Sequence, residues 1–440
     1  MNVLKTSLAA VCSAALLAGS AAAQAPLRLT LDDAVSRGLA ESHRLAELKA
    51  RQEGASAAVQ GRQAAKLPQV AAQAGYTRTN HVDAFALPSV LGPAKVIYPD
   101  IPDNFRTRLD FQWPIYTFGR FDALERAAQA EAGASGFDVS TARNDLTLEI
   151  TRAFWAIVTA TEAVRVVDES LKRMDAYVTD VRNRLKVGLV PPNDVLSAEA
   201  QRSRQQMLLI QARNAREQAA IEMRRLIGEA PDRPIEVDAI LEAPARAVGP
   251  ADTLVASARD ARPERKALEL RAQGAGERRN AAAANARPML FTGGGVDLAS
   301  PNSRWFPRTD QWKASWDVGV NITWTFADFG RVKADVAEAT ANQRAVRERL
   351  AEFDTILEVE VRQRRLDLES ARAALSSAED SLRAAAEARR VVSDRFDAGV
   401  ATSTEVLDAQ VALLQAGLDR TQALASIRLA EARLERALGR

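Results

Sequence analysis

The most regular pattern of apolar and polar positions in this chain is an alternation of period two, which occurs in two separate segments. In residues 312–326, WKASWDVGVNITWTF, every second residue is apolar and each residue between them is polar or glycine. Residues 105–115 alternate in a similar way. Such alternation predicts β-strands with one apolar face and one hydrated face.

Weaker alternation at residues 70–79 and 290–298 supplies a pairing strand for each of these segments. The sequence therefore predicts two β-hairpins, at 68–118 and 288–329. Tryptophans lie towards the ends of the predicted strands, and this position is typical of the aromatic girdles of a membrane barrel. The residues concerned are Trp113, Trp312, Trp316 and Trp324. The core of a soluble β-sandwich is the alternative interpretation of the same pattern.

A second pattern, of period 3.6, predicts very long helices. Residues 331–398 contain neither glycine nor proline over 68 positions and are rich in helix-forming residues. A helix of that length would extend about 100 Å and would have to pack side by side with others. Residues 120–187 form a similar stretch, interrupted only by Gly133 and Gly136. Spacings of three and four predict coiled-coil packing at Leu350, Phe353, Leu357, Leu407, Val411, Leu414 and Leu418.

The two patterns repeat along the chain. At an offset of 211 residues, Trp113, Phe118, Gly119, Arg120, Glu149, Arg184, Gly188, Leu196, Ala198 and Gly228 match Trp324, Phe329, Gly330, Arg331, Glu360, Arg395, Gly399, Leu407, Ala409 and Gly439. Each half predicts a helix, a hairpin, a long helix, a turn and a second helix. The turns are expected at 188–193 and 399–402, before helices at 194–228 and 403–438. We therefore predict a tandem duplication, with repeats at 24–230 and 253–440 joined by a crossover at 231–252.

Composition narrows the possible functions. Residues 1–23 have a short basic start, an apolar core and small residues before a cleavage point, which predicts a signal peptide and export. The only cysteine, Cys12, lies in that segment. A net charge of +2 offers no footprint for nucleic acid. Two isolated histidines, His43 and His81, assemble neither a metal site nor a catalytic site, so we expect no cofactor and no enzyme activity.

The number of strands predicts an oligomer. Two hairpins give four strands per chain, whereas membrane barrels begin at about eight strands. Other copies of the chain must therefore satisfy the open edges. Three copies, giving twelve strands in membrane lipid, are the simplest closed arrangement.

Two pairs of segments carry a resemblance to a known family. They are the Trp–Phe-Gly-Arg junctions and the helix-turn-helix segments RLKVGLVPPNDVLSAEA and RFDAGVATSTEVLDAQV. The whole mature chain resembles the TolC-type outer-membrane efflux proteins. The resemblance implies a homotrimer whose 12-stranded outer-membrane β-barrel continues into an α-helical coiled-coil barrel in the periplasm. It also implies a periplasmic membrane-fusion adaptor and an inner-membrane pump of RND or ABC type, acting in efflux or in type I secretion. Neither the cargo nor the particular pump and adaptor is indicated.

The resemblance also implies functional residues at the two turns. The adaptor would dock on the tip residues Arg184, Gly188, Leu189, Val190, Arg395, Gly399, Val400 and Thr402. An acidic constriction at the periplasmic entrance maps onto Asp194, Glu405 and Asp408. Local alternatives remain for each carboxylate. Glu405 would complete a capping box with Thr402, Asp408 would be a solvated surface group, and Asp194 would complement a helix N-terminus.

One departure from the family pattern concerns closure of the tip. Family members often hold the closed tip with a tyrosine and an arginine, where this chain has Phe396 and Ala401. We expect closure to depend on packing and on other polar contacts, with a weaker latch. The competing function is a structural periplasmic coiled-coil or adhesin-like protein with a small β-head.

Overall fold

The computed structural model describes residues 26–90, 92–242 and 248–440. The predicted signal peptide, with Cys12, lies outside the described residues. The chain divides into two compact units. The first contains the described part of Met1–Ala46 with Ala142–Arg262 and Leu357–Arg440, and the second contains Glu47–Thr141 and Pro263–Ile356. Each unit takes segments from both predicted repeats, so the units do not coincide with the repeats.

The described residues are mostly helical. The helices are α1 (Leu31–Glu41), α2 (His43–Ala64), α3 (Arg120–Lys186), α4 (Pro192–Ile227), α5 (Ala251–Ala261), α6 (Pro263–Ala284), α7 (Arg331–Asp397) and α8 (Ser403–Ala437). The strands are β1 (Leu27–Leu29), β2 (Gln69–Arg78), β3 (Phe85–Leu87), β4 (Lys95–Tyr98), β5 (Asp103–Tyr116), β6 (Ile235–Val237), β7 (Met289–Ser300) and β8 (Lys313–Thr323).

Four strands of the second unit form one antiparallel sheet in the order β2-β5-β7-β8. The two hairpins, β2–β5 and β7–β8, meet along the β5–β7 pair, where Leu109 lies opposite Val296. Strands β2 and β8 are the edges of this sheet. Strand β8 ends at Thr323, so Trp324–Phe326, which the alternation had included, lie beyond the strand.

The segments between the paired strands of each predicted hairpin contain further strand residues. Strands β3 and β4 form a small hairpin within the first segment, and β5 already begins at Asp103. Strand β7 continues to Ser300. The short strands escaped the sequence analysis because three or four residues are too few to show an alternation.

The long helices α3 and α7 each contain 67 residues. Both begin immediately after a Phe-Gly pair in the left-handed region, with φ of 50° and 80° at Phe118 and Gly119, and 54° and 95° at Phe329 and Gly330. Positive φ is rare for an aromatic residue. The same unusual backbone therefore turns each hairpin into its helix.

The single helix predicted before each hairpin is in fact a pair of helices. The breaks occur at Ser42 and Arg262, which both have extended ψ angles. Ser42 Oγ accepts the N–H of Leu45 at 3.3 Å, and Pro263 has no N–H to continue the preceding helix. Helix α4 begins at Pro192, two residues before the predicted start, because proline suits the first helical position.

The core of the first unit is formed by facing apolar residues of the long helices and the two shorter ones. The largest fully buried side chains there include Ile150, Phe154, Ile157, Met174, Met223, Leu368 and Ile427. Of the predicted coiled-coil positions, Leu357 and Leu414 are buried, whereas Val411 is exposed. A short parallel pair, β1–β6, joins Leu29 to Val237 and was not predicted. None of the described helices has a segment apolar enough to cross a membrane.

Candidate functional site

The two turns that join the long helices to α4 and α8, residues 187–191 and 398–402, are called the tip turns below. Gly188 and Gly399 have φ of +76° and +77°. In each turn the glycine N–H bonds the carbonyl three residues earlier at 3.0 Å, and the next N–H bonds the carbonyl five residues earlier, at 2.9 and 2.8 Å. This double hydrogen bond is the Schellman motif, which ends a helix on a left-handed glycine. The tip turns are thus matched structures in both halves.

The outer surface of each tip turn is apolar. Leu189 is 72% exposed and Val400 is 67% exposed, and each follows its glycine directly. Val190 instead packs on the core beneath the turns. Each tip turn thus exposes an aliphatic side chain at an equivalent position.

Thr402 caps α8, since its hydroxyl oxygen accepts the N–H of Glu405 at 3.3 Å. The returning bond that would complete a capping box, from the Thr402 N–H to the Glu405 carboxylate, does not occur among the described residues. Pro191 occupies the corresponding position before α4 and makes no side-chain cap. The Glu405 carboxylate is therefore not used in capping its helix.

The three predicted constriction carboxylates lie at the start of these two helices. Asp194 is half-buried in the first turn of α4, and Glu405 and Asp408 are exposed on α8. Positions three apart lie on one helix face. None of the three makes an ion pair within the described residues. Each carboxylate is thus available to interact with groups outside this chain.

A hydrophobic cluster lies beneath the tip turns and joins all four long helices of the first unit. It contains Met174, Tyr177, Val178, Val181, Val195, Ala198, Phe396 and Val406. Phe396, the residue that replaces the family's tyrosine, is buried there, with its ring centroid 5.8 Å from that of Tyr177. Ala401 packs on the same cluster. The side chains at both positions therefore contribute packing rather than hydrogen bonds.

Arg184 connects α3 and α7 where these helices lead into the two tip turns. Its guanidinium pairs with Asp180 at 2.8 Å and with Asp397, on the other half, at 2.5 Å. It also lies over the Phe396 ring, 4.7 Å from the centroid. Arg395, its equivalent in the second half, is exposed and has no ion pair in the described part of the chain. Only one of the two predicted docking arginines therefore holds the halves together.

Tyr177 and Ser403 form a second polar link between the halves, which the sequence analysis missed. Their hydroxyl groups are 2.8 Å apart and both residues are buried. Burial raises the pKa of the Tyr177 phenol, and the hydrogen bond with Ser403 opposes this shift. The offset of 211 places Ala388 opposite Tyr177 and Pro192 opposite Ser403. This break in the repeat is the one signal that could have identified the pair.

The apolar face of the four-stranded sheet is exposed along its whole length. On β8 alone, Trp316, Val320 and Ile322 are 68%, 64% and 73% exposed. The same face carries exposed residues from the other three strands, including Val70, Tyr76, Phe105, Leu109, Phe111, Trp113, Val296 and Leu298. A patch of this extent on a single chain requires an apolar environment or a partner.

Aromatic residues gather at both ends of this sheet. At one end, the rings of Tyr76 and Trp312 lie 5.0 and 6.0 Å from that of Phe105. At the other end, the indole N–H of Trp113 donates to the Lys66 carbonyl at 3.0 Å, and that of Trp324 donates to the Ala286 carbonyl at 3.1 Å. Trp316 lies within β8 rather than at its end.

The opposite face of the sheet is polar and carries a charged network. Arg108 of β5 makes two hydrogen bonds, of 2.8 and 3.1 Å, to Asp317 of β8, and it also contacts Asp110 and Asp297. Arg106 binds Asp297 at 2.6 and 3.1 Å. The alternation predicted the polar face of the sheet but not these ion pairs, because the ion pairs depend on the register of β5, β7 and β8.

No group of three or more histidine, cysteine, aspartate or glutamate side chains in the described residues is arranged to hold a metal ion. The tips and the sheet offer charged and apolar surfaces.

The sequence model of the outer membrane efflux protein family matches residues 34–229 and 254–440. Among solved structures, the outer membrane protein VceC of Vibrio cholerae has a similar fold, with a TM-score of 0.78 and 19% identity over 93% of this chain and 96% of that chain. The MtrE outer membrane channel of Neisseria gonorrhoeae gives a TM-score of 0.76 and 21% identity over 93% and 88%. The outer-membrane channel OprN gives 0.77 and 20% over 93% and 89%. No curated protein matches the chain.

Proposed function

The chain belongs to the outer membrane efflux protein family, and we propose that it is the outer-membrane duct of a tripartite efflux assembly. It is a protein of the bacterial outer membrane that extends into the periplasm. In the proposed assembly a periplasmic membrane-fusion adaptor connects it to an inner-membrane pump of RND or ABC type. The pump selects the cargo and supplies the energy, and this chain conducts passively. Type I protein secretion is the second use that the same architecture would serve.

The observation that carries this proposal is the sheet with one exposed apolar face and one charged face. An apolar face bordered by aromatics at both ends suits contact with lipid, and a charged face suits a water-filled lumen. A structural coiled-coil protein or adhesin in the periplasm would expose this apolar face to water. The sheet therefore favours the duct over that alternative.

Oligomerisation follows from the open edges of the sheet. Among the residues that the structure describes, strands β2 and β8 each leave one side without a partner strand. Unpaired backbone groups are very costly in lipid, so neighbouring copies must pair with them. Three copies would supply twelve strands, and we propose that the closed barrel is a homotrimer.

We also infer that the two halves arose by tandem duplication. The Trp113–Lys66 and Trp324–Ala286 hydrogen bonds repeat the same contact in each half. The Phe-Gly junctions and the tip turns repeat as well. We retain residues 24–230 and 253–440 as the repeats and 231–252 as the crossover.

We propose that the tip turns form the periplasmic entrance. Leu189 and Val400 would contact the adaptor, together with the exposed Arg395. In a trimer, Glu405 and Asp408 of α8 would form carboxylate rings facing the lumen, with Asp194 near them on α4. Such rings attract cations and slow anions.

Planar-bilayer recordings test this function directly. The purified protein should form cation-selective pores, and Glu405→Gln with Asp408→Asn should lower the cation preference. Asp419→Asn is the matched control, because Asp419 is also an exposed carboxylate of α8 but lies outside the tip. A protein that forms no pore and does not fractionate with the outer membrane would contradict the duct.

A further inference from the structure

The first unit contains a cavity that none of the proposed duct functions uses. Its volume is about 510 Å³, and its walls come mainly from α3, α5, α7 and α8. Small-molecule sites in proteins usually measure about 300–1,000 Å³. The volume of the cavity therefore falls within the range of small-molecule binding sites.

The walls combine apolar side chains with a few charged ones. Leu254, Leu368 and Leu434 contribute aliphatic surface from three helices, and Trp155 of α3 contributes an indole ring. The guanidinium of Arg428 lies over that ring, 4.6 Å from its centroid. Apolar walls with a few convergent polar groups are typical of ligand sites.

Among the described arginines that line the cavity, one makes no ion pair. Arg372 pairs with Glu431 at 3.4 Å, and Arg440 pairs with Glu435 at 3.5 Å. Arg428 makes no ion pair in the described residues, and its buried Nε has no hydrogen-bond partner there. The Arg428 guanidinium thus brings an unpaired positive charge to a cavity with largely apolar walls, where an anion would be a favourable partner.

We propose that this cavity binds a small organic monocarboxylate with an apolar body. The planar carboxylate matches the fork of the Arg428 guanidinium, and the body would pack against Trp155 and Leu368. Glu431 and Glu435 in the same walls oppose a second negative charge, which disfavours phosphate dianions and dicarboxylates. The site does not depend on the proposed duct function and lies apart from the tip turns.

Isothermal titration calorimetry of the purified full-length protein with 4-phenylbutanoate tests the proposal. The uncharged 4-phenylbutanamide is the matched ligand, which has the same apolar body and no carboxylate. We expect one carboxylate bound per chain and at least roughly ten-fold weaker binding of the amide, because a charged hydrogen bond is lost. Failure of the wild type to bind the carboxylate up to about 10 mM would overturn the site.

Three variants locate the interaction. Arg428→Met keeps the aliphatic stem and should weaken carboxylate binding at least roughly ten-fold. Arg428→Lys keeps a positive charge and should lose less. Arg433→Met, on the same helix but outside the cavity walls, should bind as the wild type does. Equal binding by Arg428→Met with an unchanged circular dichroism spectrum, or equal binding of the amide, would assign the affinity to another place and refute the proposal.

Discussion

Arg184 and Arg395 occupy equivalent positions in the two halves but have different surroundings. Arg184 is held by Asp180, Asp397 and the Phe396 ring, whereas Arg395 faces solvent. The difference arises because the position of Asp397 is taken by Lys186 in the first half. Because only one of the two equivalent positions carries a carboxylate, only Arg184 forms an ion pair between the two halves.

Replacing Arg184 with methionine should loosen the tip turns. The variant loses two partly exposed ion pairs and a cation–π contact, together worth about 1–2 kcal/mol. Hydrogen–deuterium exchange of the tip amides should then become roughly 5–30-fold faster. Arg395→Met is the matched control and should exchange as the wild type does. Equal protection in the two variants would show that Arg184 does not connect the halves.

The buried phenol of Tyr177 predicts a pH dependence of the same region. Because burial raises its pKa above the ordinary value of about 10, the neutral phenol stabilises the fold below that pH. This contribution is lost as the pH rises through the folded-state pKa. The thermal stability of the wild type should therefore decrease more steeply above about pH 10 than that of Tyr177→Phe.

Tyr177→Phe should also be less stable at pH 8, by about 1 kcal/mol, because Ser403 loses its hydroxyl partner. The difference between the two proteins should narrow at high pH. Parallel stability curves of the two proteins across that pH range would mean that folding does not raise the pKa of Tyr177.

The tip glycines were predictable from the sequence, and the residues that link the tips were not. A glycine after a long uninterrupted helix indicates a left-handed cap, and both Gly188 and Gly399 adopt it. The Tyr177–Ser403 bond joins residues 226 positions apart. Such a pair depends on which faces of α3 and α8 meet, and helical periodicity alone leaves that rotation open.

Among whole elements, the long helices and main strands followed from periodicity, whereas the breaks in the shorter helices did not. Helix α7 begins at the predicted Arg331 and ends at Asp397, one residue before the predicted end. The only local sequence signal of the break between α1 and α2 is Ser42, and serine also occurs within helices. Local signals of that kind become decisive only when tertiary packing favours the bend.

Glycines in three kinds of position should respond differently to alanine. Gly188 has a positive φ with open space around it, so Gly188→Ala should cost about 1–2 kcal/mol of backbone strain. Gly228 has a similar φ of +71°, but a Cβ there would lie 3.0 Å from the Glu41 Cβ, so the cost should be larger. Gly61, in the last turn of α2 with nothing nearby, should instead gain about 0.5–1 kcal/mol.

The apparent midpoint of thermal unfolding of the purified protein measures all three variants. The expected order of stability is Gly61→Ala, wild type, Gly188→Ala and then Gly228→Ala. A Gly188→Ala protein as stable as the wild type would mean that the tip turn can relax its backbone without loss.

The two faces of the four-stranded sheet suit different surroundings, because one face is apolar and the other is charged. The sheet exposes an apolar face, while its other face is cross-linked by Arg106, Arg108 and their aspartates. Gly295 allows this cross-link, because a Cβ there would lie 2.9 Å from an Arg108 nitrogen. The charged face is therefore largely neutralised by its own ion pairs, as the proposed duct requires of a face that lines its lumen.

Adjacent residues of β8 test this two-faced arrangement. Val320 is on the apolar face and Asn321 on the polar face, so Val320→Arg and Asn321→Arg place the same charge on opposite sides of one strand. Arginine in the lipid should cost about 2–4 kcal/mol near the middle of the membrane, and arginine in the lumen should cost little. We expect Val320→Arg to reduce the folded trimer recovered from outer membranes at least roughly ten-fold. Asn321→Arg should assemble normally and show a lower cation preference in planar bilayers, because its added positive charge repels cations in the lumen. Equal recovery of both variants would mean that the apolar face of the sheet does not contact lipid.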